Sequence, residues 1–313
     1  MNFALPFTKI SKKNVKEAGG KGASLGEMTR IKMPIPPGFV VLAPAFNLFL
    51  AETDINIEIE AHLQKINYKD INSVDRASSE IRAIIASKKI PQEIEKEINY
   101  FFRRLKTKYV AVRSSATVED SKTASWAGEL ESYMFVNEKN LLKSVRNCWS
   151  SMFTPRAIFY RHEKNLLGKK VSVAVVIQKM VDSEISGVVF TVHPVTKDKS
   201  QMVIEAVWGQ GEAIVSGQVT PDTYIFDKEG GYIVDINISG QKEKIIFKKA
   251  GGTKKARTKP RERERQKLSG RQIVRLAEIC QKIEKHYRHP QDIEWALLKN
   301  KFYITQSRPI TTL

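Results

Sequence analysis

The pattern of apolar residues changes near Val171, and this change constrains the fold more than any other feature of the chain. Before it, apolar residues recur at helical spacing, as they do around Leu141, Val145 and Cys148. After it come short β-branched runs between Gly, Pro and Asp turns, namely VSVAVVIQKMV, SGVVFTV, MVIEAVW, TYIFD and YIVDINI. We therefore predict an α+β fold with an N-terminal lobe over residues 1–170 and a sheet-rich lobe over 171–313.

Two polar motifs in the first lobe can contact anions. Gly19 to Met28 is predicted to be a glycine loop that leads into a short helix, which would place backbone N–H groups and the Lys21 ammonium near a phosphate. Arg113, with two serines after it, follows a short predicted strand that begins at Tyr109. Each motif is also compatible with an ordinary turn, and the glycine loop does not match the P-loop pattern.

The chain is strongly basic, with 52 Lys and Arg against 34 Asp and Glu, a formal net charge of +18. This excess suggests a nucleic-acid-binding protein as one hypothesis. However, residues 248–271 alone hold eleven Lys or Arg and two Glu, a net +9 from 11 − 2. Because this segment has almost no apolar residues, it is predicted to be a solvated or mobile linker. We therefore do not expect nucleic acid as a partner.

Cysteine usage and hydropathy indicate a cytoplasmic protein with no membrane partner. Cys148 and Cys280 lie in helical patterns without CxxC spacing, so neither a disulfide framework nor a zinc site is indicated. No apolar run resembles a signal peptide or reaches the roughly 18 residues of a membrane span. His193, at the end of SGVVFTVHP, is more typical of a strand end than of a phosphate acceptor.

The C-terminal pattern predicts a hairpin whose geometry follows from its spacing. If a three-residue loop over 299–301 joins the strands Asp292–Leu298 and Phe302–Thr305, Glu294 lies opposite Gln306. Opposed residues share a face, with Cβ atoms about 4.5–5.5 Å apart. A two-residue turn would shift this register and break the pairing.

Arg308 lies two residues beyond Gln306 and so faces the same side of the hairpin. Glu294, Gln306 and Arg308 would then offer a carboxylate, an amide oxygen and a guanidinium, which suit Mg²⁺ and a phosphate. An exposed sheet face with a Glu–Arg ion pair is the alternative that spacing leaves open.

A series of blocks, in this order, carries a family resemblance: GGKGASLGEM, PIPPGF, AVRSSATVEDS, SWAGELESY, VIQKMV, SGVVFTVHPVT, VWGQGEAIVSGQVTPD, IEKHY, DIEWAL and ITQSRP. Together they resemble the nucleotide-binding domain of the phosphoenolpyruvate synthase and pyruvate phosphate dikinase family over nearly the whole chain. The resemblance implies an ATP-grasp-type fold whose two lobes hold ATP between them. The basic segment 248–271 departs from the family pattern, so no role is carried over to it.

Site residues follow from the resemblance motif by motif, with ATP and Mg²⁺ as the implied cofactors. Lys21 and Arg113 look like cationic contacts to the ATP phosphates, and Gly128 and Ser132 belong to the loop that covers them. The stretch that resembles the adenine-binding hinge consists of Gln178, Lys179, Met180 and Val181.

The same resemblance assigns the hairpin residues. Glu294 and Gln306 look like Mg²⁺ ligands and Arg308 like a further phosphate contact, in agreement with the hairpin geometry. The implied catalytic residues are the three cations Lys21, Arg113 and Arg308.

In this family the nucleotide domain passes phosphate to a histidine on a mobile domain, which carries it to a third domain that holds pyruvate or another acceptor. The resemblance therefore implies a pyruvate, water dikinase-like phosphotransferase. Its partners would be a phosphohistidine domain or subunit in trans and a pyruvate-type acceptor on another domain. The family's phosphohistidine motif does not occur in the sequence, so we expect the chain to be incomplete on its own. A rifampin phosphotransferase-like enzyme and a non-catalytic ATP-binding module are the alternatives.

Overall fold

The protein is described from a computed structural model, which covers residues 2–117, 130–166, 172–248 and 251–311. Helices and antiparallel strands occur largely in separate runs along these residues, as is typical of an α+β fold. In the described part of the chain, no helix has both the length and the apolar content to span a membrane.

The chain forms two compact units, each assembled from two segments. The first unit consists of Met1–Glu27 and Pro37–Met180, and the second of Met28–Pro36 and Val181–Leu313. The boundary therefore lies after Met180 and differs from the predicted boundary after residue 170, because the strand Val173–Lys179 pairs within the first unit's sheet.

The first unit is built on a five-stranded antiparallel sheet in the order β1-β2-β5-β3-β4. The first two strands were not predicted, because strands of three and four residues are too short to show an alternating pattern. The strands are β1 (Ala4–Pro6), β2 (Gly38–Val41), β3 (Val110–Ala116), β4 (Ser132–Val136) and β5 (Val173–Lys179).

One face of this sheet is covered by amphipathic helices. In the helix Gln92–Arg104, Ile94, Ile98 and Phe102 recur at a spacing of four residues and are buried. A helix begins at Pro155, because proline is well tolerated in the first turn. The helices are α1 (Val15–Arg30), which continues into the second unit, and α2 (Ala43–Glu52), α3 (Asn56–Gln64), α4 (Ile71–Ser87), α5 (Gln92–Arg104), α6 (Glu138–Ser150) and α7 (Pro155–Glu163).

The second unit is built on a six-stranded antiparallel sheet in the order β13-β12-β6-β7-β8-β9, with a separate hairpin of β10 and β11. Its elements are β6 (Ile185–Phe190), β7 (Gln201–Trp208), α8 (Glu212–Val215), β8 (Asp222–Asp227), β9 (Tyr232–Asn237), β10 (Glu243–Phe247), β11 (Thr253–Arg257), α9 (Pro260–Arg263), α10 (Gly270–Tyr287), β12 (Gln291–Leu298) and β13 (Lys301–Pro309). Helix α10 contacts four of these strands and buries Ile273, Leu276, Cys280 and Ile283. It covers the face that includes Ile293 and Ile204, so the opposite face of the sheet is left for polar side chains.

The described part of the basic segment, residues 251–271, is folded, so the prediction of a linker was wrong there, although most of its charged side chains are exposed. It contributes β11 and α9, and both Lys267 and Leu268 are buried. Lys267 Nζ lies 2.6 Å from Asp222 Oδ1, and both side chains are fully buried. The Asp222 carboxylate also accepts hydrogen bonds from the Tyr224 hydroxyl at 2.8 Å and the Ser239 N–H at 2.9 Å. A prediction from composition fails here because a buried ion pair fixes a segment that has few apolar residues to pack into a core.

We predict that Asp222→Ala lowers the free energy of unfolding by about 3–5 kcal/mol, because it leaves the Lys267 ammonium buried without its carboxylate. Urea unfolding followed by circular dichroism measures the change. The double variant Asp222→Leu with Lys267→Met removes both charges and should recover much of the loss, whereas Asp235→Ala, at an exposed position of β9, should change little. A single and a double variant of equal stability would contradict this account.

Candidate functional site

A glycine turn packs against Ser115, near the C-terminal end of β3 in the first unit. Helix α1 is interrupted at Gly19, which adopts φ 68° and ψ 172°. The Ser115 hydroxyl donates to the Ala18 carbonyl at 3.0 Å and accepts from the Gly22 N–H at 3.3 Å. A Cβ on Gly19 would lie 2.1 Å from Ser115 Oγ, so only glycine fits this approach. The half-buried Lys21 therefore begins a helical segment at a fixed distance from β3.

Three of the predicted ligand contacts share one face of the first sheet. Arg113 and Ser115 are two residues apart on β3, so their side chains point to the same side of the sheet. Ser132 lies opposite Arg113 on β4, and Gln178 lies opposite Ala111 on β5. Arg113 and Gln178 are buried, at 8% and 3% exposure. The structure thus brings a guanidinium, a hydroxyl and an amide to the face on which the glycine turn packs. Gly128 lies outside the described residues.

Ser132 is held in place through its neighbours. The N–H and hydroxyl of Ser114 donate to the Glu131 carbonyl at 3.2 Å and 2.9 Å. The Glu131 carboxylate accepts from Arg82 Nη2 at 2.7 Å and from the Tyr133 hydroxyl. Burial and the hydrogen bond to Glu131 raise the pKa of Tyr133, so its hydroxyl keeps the proton that it donates. This network fixes β4 on the arginine-bearing strand.

The predicted hinge, Gln178 to Val181, contains the point where the chain passes from the first unit to the second. The Lys179 N–H donates to the Pro37 carbonyl at 2.8 Å, and the Met180 N–H donates to the Tyr109 carbonyl at 3.1 Å. Lys179 is exposed, whereas Gln178 and Val181 are buried. Backbone hydrogen bonds therefore anchor the hinge on its N-terminal side.

The C-terminal hairpin has a different turn from the predicted one but the predicted pairing. Lys299 and Asn300 form a two-residue turn, both with positive φ, at 49° and 57°. The prediction of a three-residue loop was therefore wrong. Glu294 nevertheless lies opposite Gln306, because Thr305 is an extra residue at a β-bulge next to Glu294. The bulge restores the register that the shorter turn would have shifted.

Asp292 joins this face and was not predicted. It lies opposite Arg308, whose Nη2 and Nε approach the Asp292 Oδ2 at 2.6 Å and 2.8 Å. Burial raises the pKa of Asp292, Arg308 opposes the shift, and the negative charge of Glu294 adds to it. The period-2 rule, applied to Glu294 on β12 as it was to Gln306 on β13, would have identified Asp292.

Glu205 on β7 extends the face further. It pairs with Val188 on β6, and Val188 in turn pairs with Glu294, so the two glutamates point to the same side two strands apart. Burial raises the pKa of Glu205, and Asp292 raises it further. Sequence alone does not find this residue, because its place beside Glu294 depends on the order of strands in the sheet.

The oxygen atoms of this face suit a hard divalent cation. Asp292 and Glu294 supply carboxylates and Gln306 an amide oxygen, the donor types that Mg²⁺ prefers. Among the described residues, no group of three or more His, Cys, Asp or Glu side chains is arranged as a metal cage. Mg²⁺ is commonly held by one or two carboxylates together with substrate phosphates.

Comparison with known proteins identifies the family. The family model described as "Pyruvate phosphate dikinase, AMP/ATP-binding domain" matches residues 15–313. This chain belongs to that family. Membership and the mixed helix-and-sheet architecture confirm the predicted α+β fold of ATP-grasp type.

Relatives of this AMP/ATP-binding domain are longer proteins. A probable phosphoenolpyruvate synthase from Archaeoglobus fulgidus is 46% identical over 97% of this chain and 41% of its own length. One from Methanothermobacter thermautotrophicus is 42% identical over 98% of this chain and 46% of its own length. A rifampicin phosphotransferase from Bacillus cereus is 36% identical over 100% of this chain and 36% of its own length. The chain thus spans less than half of these relatives.

We predict that Gly19→Ala destabilises the protein more than Gly217→Ala. Both glycines have similar positive φ, at 68° and 66°, but a Cβ on Gly217 meets nothing within 4 Å. Gly217→Ala should therefore cost only the strain of a left-handed alanine, about 1–2 kcal/mol. Gly19→Ala adds a clash with Ser115 and a ψ of 172° that only glycine adopts at this φ, and should cost about 1–3 kcal/mol more in urea unfolding. Equal losses for the two variants would show that the close approach to Ser115 has no energetic role.

We also predict that Glu205→Gln stabilises the ligand-free protein at neutral pH and that this gain disappears in acid. The folded-state pKa of Glu205 is raised, so its ionised form opposes folding above that pKa. Below the unfolded-state pKa, about 4.3, Glu205 is protonated in both states and the difference vanishes. Thermal unfolding across this pH range measures the effect, with Glu229→Gln, at an exposed turn, as the control. A gain that is independent of pH would rule out this electrostatic origin.

Proposed function

We propose that this chain binds ATP with Mg²⁺ and passes a phosphoryl group to a histidine on a separate domain or chain, as part of a phosphoenolpyruvate synthase-like phosphotransferase. The observation that carries the proposal is the polar face of the second sheet, where Asp292, Glu294, Gln306 and Arg308 converge by register. The relatives named phosphoenolpyruvate synthase support the choice of reaction.

In the first unit, Lys21 and Arg113 are proposed to contact the ATP phosphates. Lys21 supplies a point charge at the start of a helical segment, where backbone N–H groups also favour anions. Arg113 supplies a planar donor from a buried strand, so little side-chain freedom is lost on binding. Ser132 and Gly128 are proposed to cover the phosphates, and the hinge Gln178 to Val181 to contact adenine.

In the second unit, Glu294 and Gln306 are proposed to hold Mg²⁺, with Asp292 as a third oxygen ligand and Arg308 as a phosphate contact. The ion, when bound, neutralises charge on the phosphate oxygens. The raised pKa values of Asp292 and Glu205 support the assignment, because carboxylates crowded on a half-buried face gain from a nearby cation. The Asp292–Arg308 ion pair would also hold the guanidinium in position before ATP arrives.

The geometry of His193 favours an acceptor histidine outside this chain. Its Nδ1 accepts hydrogen bonds from the N–H groups of Val195 and Thr196, at 3.3 Å and 3.2 Å. The lone pair of Nδ1 is thus engaged in these hydrogen bonds and is not offered to phosphorus. A structural role at the strand end explains this histidine fully.

A second candidate function is the ATP-binding part of a rifampicin phosphotransferase-like enzyme. The relative with that name matches the full chain, and its identity is only moderately lower than that of the synthases. A non-catalytic ATP-binding module is the remaining alternative. It would bind ATP and Mg²⁺ but would transfer no labelled phosphate to an added histidine domain.

The Mg²⁺ assignment predicts that Glu294→Gln loses most of the Mg²⁺-dependent gain in ATP affinity, by about 10–100-fold. Calorimetric titration of ATP with and without Mg²⁺ measures that gain. Asp235→Asn, at an exposed position of β9 near the end of the same face, should leave this gain unchanged.

Lys21→Met should weaken ATP binding both with and without Mg²⁺. Lys16→Met, at an exposed position of α1, should not weaken ATP binding in either condition. A wild-type affinity for ATP that is the same with and without Mg²⁺ would exclude the proposal.

A further inference from the structure

The second unit carries a set of exposed cations that the proposed ATP site does not use. They lie around the hairpin β10–β11 and helix α9, and we call them the cationic ribbon. Its members are Lys242, Lys254, Lys255, Arg257, Lys259, Arg261 and Arg265, all exposed. In the described part of the chain, no ion pair neutralises any of them, since the nearby pairs are Lys244–Glu262 and Lys267–Asp222.

Hydrogen bonds hold the backbone of the cationic ribbon in place. The buried side chain of Gln241 accepts from the Trp208 N–H at 2.8 Å and donates to the Trp208 carbonyl at 3.0 Å. The Trp208 indole N–H donates to the Glu262 carbonyl of α9 at 3.0 Å, and the Thr258 N–H donates to the Lys242 carbonyl at 2.9 Å. These bonds tie both ends of the hairpin to the large sheet. Binding of a ligand therefore does not have to order the backbone that carries the cations.

The charges repeat along the strand. Lys255 and Arg257 lie two residues apart on β11, about 6.6–6.8 Å along the strand and on the same side, where Glu243 of β10 lies opposite Arg257. Arg257 and Arg261 can each bind an anion through two parallel N–H hydrogen bonds. A row of this kind is complementary to a ligand with regularly repeated single negative charges.

The surroundings favour a polyphosphate backbone over an acidic protein. Protein interfaces depend on a desolvated centre enriched in aromatic and apolar residues. No large exposed hydrophobic side chain lies within the described residues 242–265, since the nearest ones along the chain are Val234, Ile236 and Ile238. Binding to a nucleic-acid backbone needs only cations and released counterions. Without an exposed aromatic side chain to stack on bases, such binding would show no sequence preference.

We propose that the cationic ribbon binds the phosphodiester backbone of nucleic acid without sequence preference. This revises the expectation drawn from the sequence, which treated the segment as a solvated or mobile linker and did not expect nucleic acid as a partner. The inference is independent of the proposed phosphotransferase activity, because it uses none of the residues assigned to ATP or Mg²⁺.

The test compares two triple variants of the full chain with equal net charge. Lys254→Gln, Lys255→Gln and Arg257→Gln neutralise the ribbon, and Lys65→Gln, Lys139→Gln and Lys143→Gln neutralise exposed lysines of the first unit. Fluorescence anisotropy with a labelled oligouridylate of about 20 nucleotides follows binding as salt is varied. The ribbon variant should bind at least about tenfold more weakly, and its salt slope should fall by about 2, or roughly 0.7 for each lost phosphate contact. The control variant should keep the wild-type slope.

Three results would overturn the proposal: no binding by the wild type, equal loss in both triple variants, or equally tight binding of poly-L-glutamate. The second would assign binding to overall charge and the third to an acidic protein partner. Unchanged thermal unfolding and ATP affinity in the ribbon variant show that it is folded. Lys255→Gln alone, with a smaller change in slope, provides the same comparison if the triple variant unfolds.

Discussion

The register between β12 and β13 determines which side chains the second sheet presents on its polar face. Side chains alternate between the two faces of a sheet, and α10 occupies one of them. A slip of one residue would turn Gln306 and Arg308 toward that helix and leave Glu294 without its amide neighbour. The extra residue Thr305 prevents this, because its bulge absorbs the difference between the short turn and the pairing that places Glu294 beside Gln306.

The first unit depends on a comparable backbone constraint. Gly19 approaches Ser115 more closely than any side chain would permit, and the serine hydroxyl is bonded on both sides of the resulting turn. Lys21 and Arg113 therefore project from backbone segments joined by hydrogen bonds. Electrostatic stabilisation of phosphoryl transfer requires fixed charges, because groups that must reorganise lose part of their effect. Gly19 and Ser115 supply this fixity to Lys21 and Arg113, the two cations that are proposed to contact the phosphates.

Much of this could be predicted from the sequence. The amphipathic α6 and the break at Gly19 follow from local rules, and Glu294 was paired with Gln306 by counting residues. The pairing succeeded through two compensating errors, a turn one residue too long and an unseen bulge. Glu205 was missed because its position depends on strand order, which is non-local. The basic segment was misjudged because composition does not reveal that Lys267 meets Asp222, 45 residues away in the chain.

The discontinuous second unit affects how the chain folds during synthesis. Residues 28–36 leave the ribosome early, yet the Pro34 carbonyl accepts a hydrogen bond from Ile304, close to the C-terminus of the chain. The first unit can fold as soon as Met180 has emerged, because all its strands are then present. The segment itself waits for nearly the whole remaining chain. Its proline-rich sequence, PIPP at 34–37, keeps it extended and unable to form a competing helix during that interval.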